Sequence, residues 1–217
     1  MAAMTATAKI CGISTPETVQ AVLVGGASHI GFNFFEKSPR FVSPELAARL
    51  AQPLRQTNVK VCAITVDPDD ALVDQLATIL RPDFIQLHGK ESPARVREIG
   101  QRSGLGVIKV IPVTEARDVD LAGDYESLVD HLMFEGKPPR DATMPGGVGA
   151  RFDWTLMAGR RFARPWFLAG GLDPWNVAEA ISRSQAPIVD VSSGVERGPG
   201  LKDASLITAF IEAVRRA

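Results

Sequence analysis

Short apolar runs alternate with helical patterns along the whole chain, and this alternation limits the possible folds more than any other feature. The runs are Lys9–Ile13, His29–Phe34, Val59–Val66, Phe84–Leu87, Gly106–Ile111, His131–Phe134, Trp166–Ala169 and Pro187–Val191. Several are nearly continuous in Val, Ile, Phe and Leu, which is typical of strands buried on both faces of a parallel sheet. Eight such units predict an α/β fold with one (β/α)8 TIM barrel over residues 1–217, because a closed barrel leaves no open edge. An open, doubly wound sheet is the alternative, but no G-x-G-x-x-G segment follows the first run.

Proline marks the predicted helix starts, each after a residue that accepts hydrogen bonds from the first helical turn. The pairs are Thr15-Pro16, Ser43-Pro44, Asp67-Pro68, Ser92-Pro93 and Asp173-Pro174. The last helix carries an apolar stripe of Leu206, Ile207, Phe210, Ile211 and Val214. The fifth and sixth helices are weakly patterned, and residues 137–149 are predicted to form a loop.

Composition excludes several classes of protein. The chain has 24 Lys and Arg against 25 Asp and Glu, with no long basic run, so no nucleic-acid partner is expected. No apolar stretch approaches the ~18 residues of a membrane helix, and the start lacks a signal-peptide pattern. Two cysteines, Cys11 and Cys62, form neither a disulfide framework nor a metal motif, so a reducing cytoplasmic compartment is expected. Three histidines without a cluster give no reason to expect a metal.

Two glycine-rich turns follow the seventh and eighth strands, at residues 169–174 and 190–195. In barrels of this kind the active site lies at the carboxyl ends of the strands, and phosphate binds after strands seven and eight. Glycine lets backbone N–H groups approach an anion closely, and a nearby helix start adds a positive dipole end. Each turn alone also fits an ordinary tight turn, but the pair in these two positions favours a phosphate site.

A thiol and a carboxyl group are predicted at the mouth of the barrel. Cys11 lies near the end of the first strand, with Lys9 two residues away on the same face. A cysteine in an apolar strand is usually an inert small hydrophobe, and it acts as a base only where a cation stabilises its thiolate. Glu135 directly follows the sixth strand and either points into the mouth or is a solvated loop carboxylate. Cys62, with apolar neighbours, is interpreted as a core residue.

Three further polar residues follow the second and fourth strands. Arg40 is either a surface charge or holds a substrate carboxylate in a bidentate pair. Gln86 and His88 end the fourth strand, where His88 either orients a ring or fills a structural role. These residues indicate a phosphate-binding barrel enzyme, but they do not give the reaction.

Six segments resemble the signature segments of the phosphoribosylanthranilate isomerase family, in the family's order and across nearly the whole chain. They are Lys-Ile-Cys-Gly-Ile (9–13), Gly-Phe-Asn-Phe-Phe-Glu-Lys-Ser-Pro-Arg (31–40), Gln-Leu-His-Gly (86–89), Phe-Asp-Trp (152–154), Leu-Ala-Gly-Gly-Leu (168–172) and Val-Asp-Val-Ser-Ser-Gly-Val-Glu (189–196). The resemblance implies an Amadori rearrangement of N-(5'-phosphoribosyl)anthranilate in tryptophan biosynthesis, with no metal or redox cofactor.

The resemblance also implies roles for particular residues. Cys11 matches the family's general base, Arg40 the residue near the anthranilate carboxylate, and Asp190 a carboxylate close to the reacting sugar. Gln86 and His88 are expected to contact the substrate. The expected phosphate-binding residues are Gly147, Gly149, Gly170, Gly171, Ser192, Ser193 and Gly194. The phosphosugar is the expected partner, and both a monomer and a homodimer are compatible with the sequence.

The sequence departs from the family pattern at the sixth strand, where the general acid is an Asp and this chain has Glu135. Glutamate places the carboxyl group about one methylene further out, and a ~1 Å misplacement can cost a hundredfold in rate. We consider Gly136 a compensating change that loosens the backbone. Val148 and Asn33 are also unusual residues near the mouth.

These departures leave two alternatives to a working isomerase. One is a barrel derived from the isomerase whose altered site binds phosphorylated ligands or performs another reaction. The other is a different phosphosugar enzyme on the same fold, which would leave the motifs of the first two strands unexplained.

Overall fold

The computed structural model of the chain describes residues 6–138, 146 and 149–217. Eight parallel strands form a closed barrel in sequence order, which confirms the predicted (β/α)8 fold. The strands are β1 (Thr7–Cys11), β2 (His29–Asn33), β3 (Lys60–Thr65), β4 (Phe84–Leu87), β5 (Gly106–Val113), β6 (His131–Gly136), β7 (Trp166–Ala169) and β8 (Ile188–Val191). A short antiparallel pair, β9 (Glu196–Gly198) and β10 (Leu201–Lys202), follows β8.

The two faces of each strand bury different sets of side chains. Inward-facing residues form a small apolar cluster that fills the barrel; it consists of Cys11, Cys62, Ile64, Ile108, Val110, Met133, Phe167, Ala169 and Ile188. Outward-facing residues join the helices in a larger cluster around the barrel. Both faces are apolar, which is why the strands are continuous hydrophobic runs. Cys62 lies inside the barrel with no exposed surface, so its interpretation as a core residue is confirmed.

Helices lie between most strands of the barrel. They are α1 (Pro16–Gly25), α2 (Pro44–Ala51), α3 (Asp70–Gln75), α4 (Pro93–Ser103), α5 (Ala116–Asp120), α6 (Val177–Ser184) and α7 (Ala204–Arg216). Thr15, Ser43 and Ser92 cap α1, α2 and α4 as predicted, each through a side-chain oxygen that accepts an N–H of the first turn. In the described residues between β6 and β7 only a 3-10 turn, Trp154–Met157, takes the place of a helix. In α7, Ile207, Phe210, Ile211 and Val214 are buried, in line with the predicted stripe.

The predicted helix start at Asp67-Pro68 is wrong, because α3 begins at Asp70 and Asp69 is its cap. Asp67 adopts a left-handed conformation with φ of 45°. Its carboxylate accepts the backbone N–H of Lys90, 2.7 Å away, instead of capping a helix. A contact between distant residues therefore overrides the local signal.

The predicted helix start at Asp173-Pro174 is also wrong, since α6 begins at Val177. Asp173 Oδ1 accepts the N–H groups of Trp175 and Asn176 at 2.9 Å, as a cap would. These hydrogen bonds close a separate turn over residues 174–176, and the regular helix begins only after it. The turn leaves Trp175 80% exposed.

Aromatic rings close the amino-terminal end of the barrel. His29, Phe84, His131 and Phe167 lie with neighbouring ring centres 4.9–6.1 Å apart, and we call this group the closed end. Edge-to-face ring contacts of this kind add to the stability that burial gives. Among the described residues, no helix is both long and apolar enough to cross a membrane.

Candidate active site

A cleft lies at the opposite end of the barrel, where the strands end. Its lining includes Cys11, Arg40, Gln86, His88, Glu135 and Asp190. The structure thus brings together all six residues that were predicted to act in catalysis or to bind the substrate, apart from phosphate contacts. Within the part of the chain that the structure describes, no three His, Cys, Asp or Glu side chains are grouped so that they could hold a metal ion.

An ion pair joins the first and last strands just below the cleft. Lys9 Nζ lies 2.7 Å from Asp190 Oδ1, and the two residues are register partners between β1 and β8. Lys9 has no exposed surface. Burial alone would lower the pKa of this ammonium, but the charge of Asp190 raises the pKa above its ordinary value. Lys9 is therefore a permanent cation at the base of the cleft.

Cys11 ends β1 on the same inward face as Lys9. Burial raises the pKa of its thiol, the nearby Asp190 raises it further, and Lys9, Lys202 and Arg40 act in the opposite direction. The resting residue is a thiol whose thiolate is surrounded by three cations. Only the thiolate form of Cys11 can accept a proton, and these cations favour that form.

Glu135 occupies the next-to-last position of β6, and its carboxylate contacts His88. The distance from His88 Nε2 to Glu135 Oε2 is 2.6 Å, and both side chains are largely buried. A Cβ atom at Gly146 would collide with both groups, so the backbone after β6 folds back onto this pair. Glu135 is consequently a positioned carboxyl group and not a solvated loop residue.

Gly136 has a steric reason to be glycine. A Cβ atom at this position would collide with the backbone of Ala150 and Arg151. The residue is buried within β6. Close packing explains it better than the loosening of the backbone that the sequence suggested.

Arg40 binds Glu196, a residue to which the sequence analysis assigned no role. Arg40 Nε lies 2.7 Å from Glu196 Oε1, and Arg40 Nη2 lies 2.9 Å from Oε2. Lys202 Nζ also contacts Glu196 Oε1, at 2.6 Å, and donates to the carbonyl oxygen of Ser192 at 2.8 Å. Although burial alone would raise the pKa of Glu196, these donors lower it. The network connects Arg40 with the turn after β8.

Gln86 projects into the barrel below the cleft and is 1% exposed. Its Oε1 atom has no hydrogen-bond partner within the described residues. A buried acceptor without a partner is costly, so it marks a position where a ligand donor fits.

Three backbone segments lie side by side at the predicted phosphate site. Gly149, Gly170, Gly171, Ser192 and Ser193 line a small cavity together with Glu135, Leu172 and Asp190. Gly170 and Gly171 have φ of 93° and 63°, and a side chain on either would collide with the segment 149–151. Gly194 packs in the same way against Leu172. These glycines therefore let three turns converge on one cavity.

Two of the unusual residues remain to be placed. Asn33 ends β2, and its Oδ1 accepts the N–H of Phe35 at 2.9 Å, so it closes the turn after the strand as well as lining the cleft. Gly147 and Val148 lie outside the described residues. Their expected roles stay predictions.

The family comparison covers almost the whole chain. Residues 8–213 match the family model described as N-(5'-phosphoribosyl)anthranilate (PRA) isomerase. The N-(5'-phosphoribosyl)anthranilate isomerase of Caulobacter sp. strain K31 is 63% identical over 209 residues, covering 96% of this chain and 98% of the relative. Neither match supports the altered-site alternative.

Solved structures agree with this result. The crystal structure of phosphoribosyl anthranilate isomerase from Thermotoga maritima is 34% identical, with a TM-score of 0.86, and covers 98% of this chain and 100% of its own. A second structure of such an isomerase, in complex with reduced 1-(o-carboxyphenylamino)-1-deoxyribulose 5-phosphate, is 32% identical, with a TM-score of 0.82 and the same coverage. By fold, by the order of its motifs and by identity over nearly its full length, the chain belongs to the N-(5'-phosphoribosyl)anthranilate isomerase family.

Proposed function

We propose that the chain catalyses the Amadori rearrangement of N-(5'-phosphoribosyl)anthranilate to 1-(o-carboxyphenylamino)-1-deoxyribulose 5-phosphate, the isomerisation step of tryptophan biosynthesis. The composition of the cleft is the observation that supports the assignment of catalytic roles. A thiol, Cys11, and a positioned carboxyl group, Glu135, line the same cleft, beside the small cavity at the glycine-rich turns.

Glu135 acts as the general acid in the first step. Its proton passes to the ring oxygen of the ribose, the bond between that oxygen and C1' breaks, and the anilino nitrogen supplies the electron pair that forms the Schiff base. The contact between His88 Nε2 and Glu135 Oε2 keeps the carboxyl group in a fixed orientation for this transfer. The proposed role of His88 is therefore to orient Glu135.

Cys11 acts as the base in the second step. Its thiolate removes the proton from C2', and the C–H electron pair forms the C1'–C2' double bond while the iminium nitrogen takes up the displaced pair. The resulting enolamine then tautomerises to the ketone. The Lys9 charge stabilises the thiolate, and Asp190 holds Lys9 in place.

The remaining residues bind the two ends of the substrate. Arg40 lies where a guanidinium can meet the anthranilate carboxylate, with Glu196 holding its orientation. Gln86 Oε1 accepts a hydrogen bond from a substrate N–H or O–H group. The phosphate binds at the turns with Gly149, Gly170, Gly171, Ser192, Ser193 and Gly194, and Gly147 is expected to join them. Because the base must be a free thiol, we place the enzyme in the reducing cytoplasm.

The test is a fluorescence assay of the purified protein with freshly prepared phosphoribosylanthranilate. The wild type should consume the substrate, whereas Cys11→Ala and Glu135→Gln should each lower kcat by about a hundredfold or more, as expected for loss of an acid or a base. Cys62→Ala is the matched control, because it removes the other thiol from the barrel without touching the cleft. Near-normal kcat in either of the first two variants would overturn the residue assignment.

A further inference from the structure

A further buried ion pair lies on the outer side of the barrel wall. Lys109 Nζ and Glu91 Oε2 are 2.6 Å apart, and their side chains are 4% and 1% exposed. Lys109 belongs to β5, where its neighbours Ile108 and Val110 face the barrel interior. Lys109 therefore points outward and, like Glu91, does not line the cleft.

Glu91 and Lys109 form hydrogen bonds with the backbone on both sides of His88. The two carboxylate oxygens of Glu91 accept the N–H of Gly89 at 2.9 and 3.1 Å. Lys109 Nζ donates to the carbonyl oxygens of Gly89, at 2.9 Å, and of Leu87, at 3.4 Å. The residues immediately before and after His88 are thus held by the same two side chains.

Neighbouring loops complete the network. Glu91 Oε1 accepts the N–H of Asp67 at 3.0 Å, and Asp67 in turn accepts the N–H of Lys90. The hydroxyl of Tyr125 donates to the carbonyl oxygen of Glu91 at 3.2 Å, and Lys109 Nζ lies 5.8 Å from the centre of the Tyr125 ring. Hydrogen bonds from β5 and from the two loops that carry Asp67 and Tyr125 therefore fix the segment 88–91.

A gain in stability does not by itself account for burying Glu91 and Lys109. Burying two charges costs nearly as much as their attraction returns, and apolar residues of the same size often fold as well or better. A pair that fixes one short segment fits a positioning role. The segment carries His88, which contacts the proposed acid.

We propose that Glu91 and Lys109 are positioning residues: from outside the barrel they fix the backbone of His88, so that its Nε2 stays in contact with Glu135. The effect on turnover rests on the proposed role of Glu135 as general acid. The effect on His88 itself does not, and the two can be measured separately.

The test uses the double variant Glu91→Gln, Lys109→Met, which removes both charges and leaves no unpaired ion to prevent folding. We expect it to fold, with a kcat ten- to a hundredfold below wild type and a KM within about threefold, because only the acid is displaced. A purely structural role would lower the amount of folded protein but leave the kcat of the folded enzyme unchanged.

Nuclear magnetic resonance of the histidine rings gives the second measurement. The chain has three histidines, and His29 and His131 lie at the closed end. In the double variant the ring signals of His88 should shift or broaden while the other two stay unchanged. Asp74→Asn is the control, since it breaks an exposed ion pair with Arg102 between α3 and α4 and should alter neither measurement.

The proposal is overturned if the folded double variant keeps wild-type kcat, or if its His88 signals do not change. If the wild type itself shows no turnover, the proposed function fails. The His88 signals then still decide whether the pair fixes that residue.

Discussion

The two ends of the barrel interior differ in the charge state of their buried basic residues. Just below the cleft, Lys9 is charged, fully buried and paired with Asp190. At the closed end, burial lowers the pKa of His29 to about 3, and burial also lowers the pKa of His131. The ion pair below the cleft keeps its charge, whereas burial favours the neutral form of the two histidines in the ring cluster.

The difference shows that one fold separates function and stability along a single axis. Interior residues near the carboxyl ends of the strands line the cleft, whereas those near the amino ends pack in the closed end. Substitutions at the two ends should therefore change different measurements. Variants at each end test whether activity and stability separate in this way.

The largest effect is expected at the cleft from Asp190→Ala. The change leaves the Lys9 ammonium buried without its partner, which costs about 3–5 kcal/mol of unfolding free energy. We also expect kcat to fall by about a hundredfold or more, because the cation is no longer held beside Cys11. Chemical denaturation and the fluorescence assay measure the two effects, and a variant that loses only one of them would show that stability and activity are separable even here.

At the closed end, Phe167→Ala should destabilise the protein by about 3–5 kcal/mol, since it empties the centre of the ring cluster. Its kcat, measured on the folded fraction, should stay within about threefold of wild type. Denaturant unfolding and the same assay check this. A kcat more than tenfold lower would mean that the closed end is coupled to the chemistry.

Lowering the pH should destabilise the folded protein through protonation of His29 at the closed end. Burial lowers the pKa of its ring, and Lys9, His131 and Lys60 act in the same direction against Asp83. The unfolded ring binds a proton near pH 6.5 and the folded ring only near pH 3, so stability is complete above pH 6.5 and falls towards pH 3. Within that window the loss approaches about 1.4 kcal/mol per pH unit. In urea unfolding between pH 7 and pH 4, the His29→Phe variant should lose less stability than wild type. Equal losses would contradict the proposal that His29 causes the pH dependence.

The smallest effect is expected from Glu135→Asp. The shorter side chain withdraws the carboxyl group from His88 by about one methylene, so we expect kcat to fall by about tenfold with little change in stability. The steady-state rate checks this. A rise of more than tenfold would instead support the altered-site alternative and make Glu135 a detuned acid.

The sequence predicts the closed end less well than the cleft. Strand ends are within two residues of the predicted ones because continuous apolar runs mark them, and the positions of Cys11, Glu135 and Asp190 follow from those ends. The pairing of His29 with His131 has no local signal, since the two lie on different strands far apart in the chain.

Long-range polar contacts explain the other misses. Asp67 and Asp69 both suit a helix cap, and only the backbone of Lys90 decides which one caps α3. Glu196 lies 156 residues from Arg40, although it stands inside a recognised motif. No role was predicted for Glu91 or Lys109 from the sequence. Such pairs become visible only when the barrel places their elements side by side.

The contact between Lys9 and Asp190 also has a consequence for the order in which the protein becomes active. The two partners lie 181 residues apart in the chain, and they meet only where β1 and β8 close the barrel. During synthesis the nascent chain holds its thiol and its Lys9 cation long before the carboxylates of Glu135 and Asp190 exist. A chain truncated before β8 therefore lacks a complete active site. Two fragments cut between β4 and β5 must associate before a complete site forms.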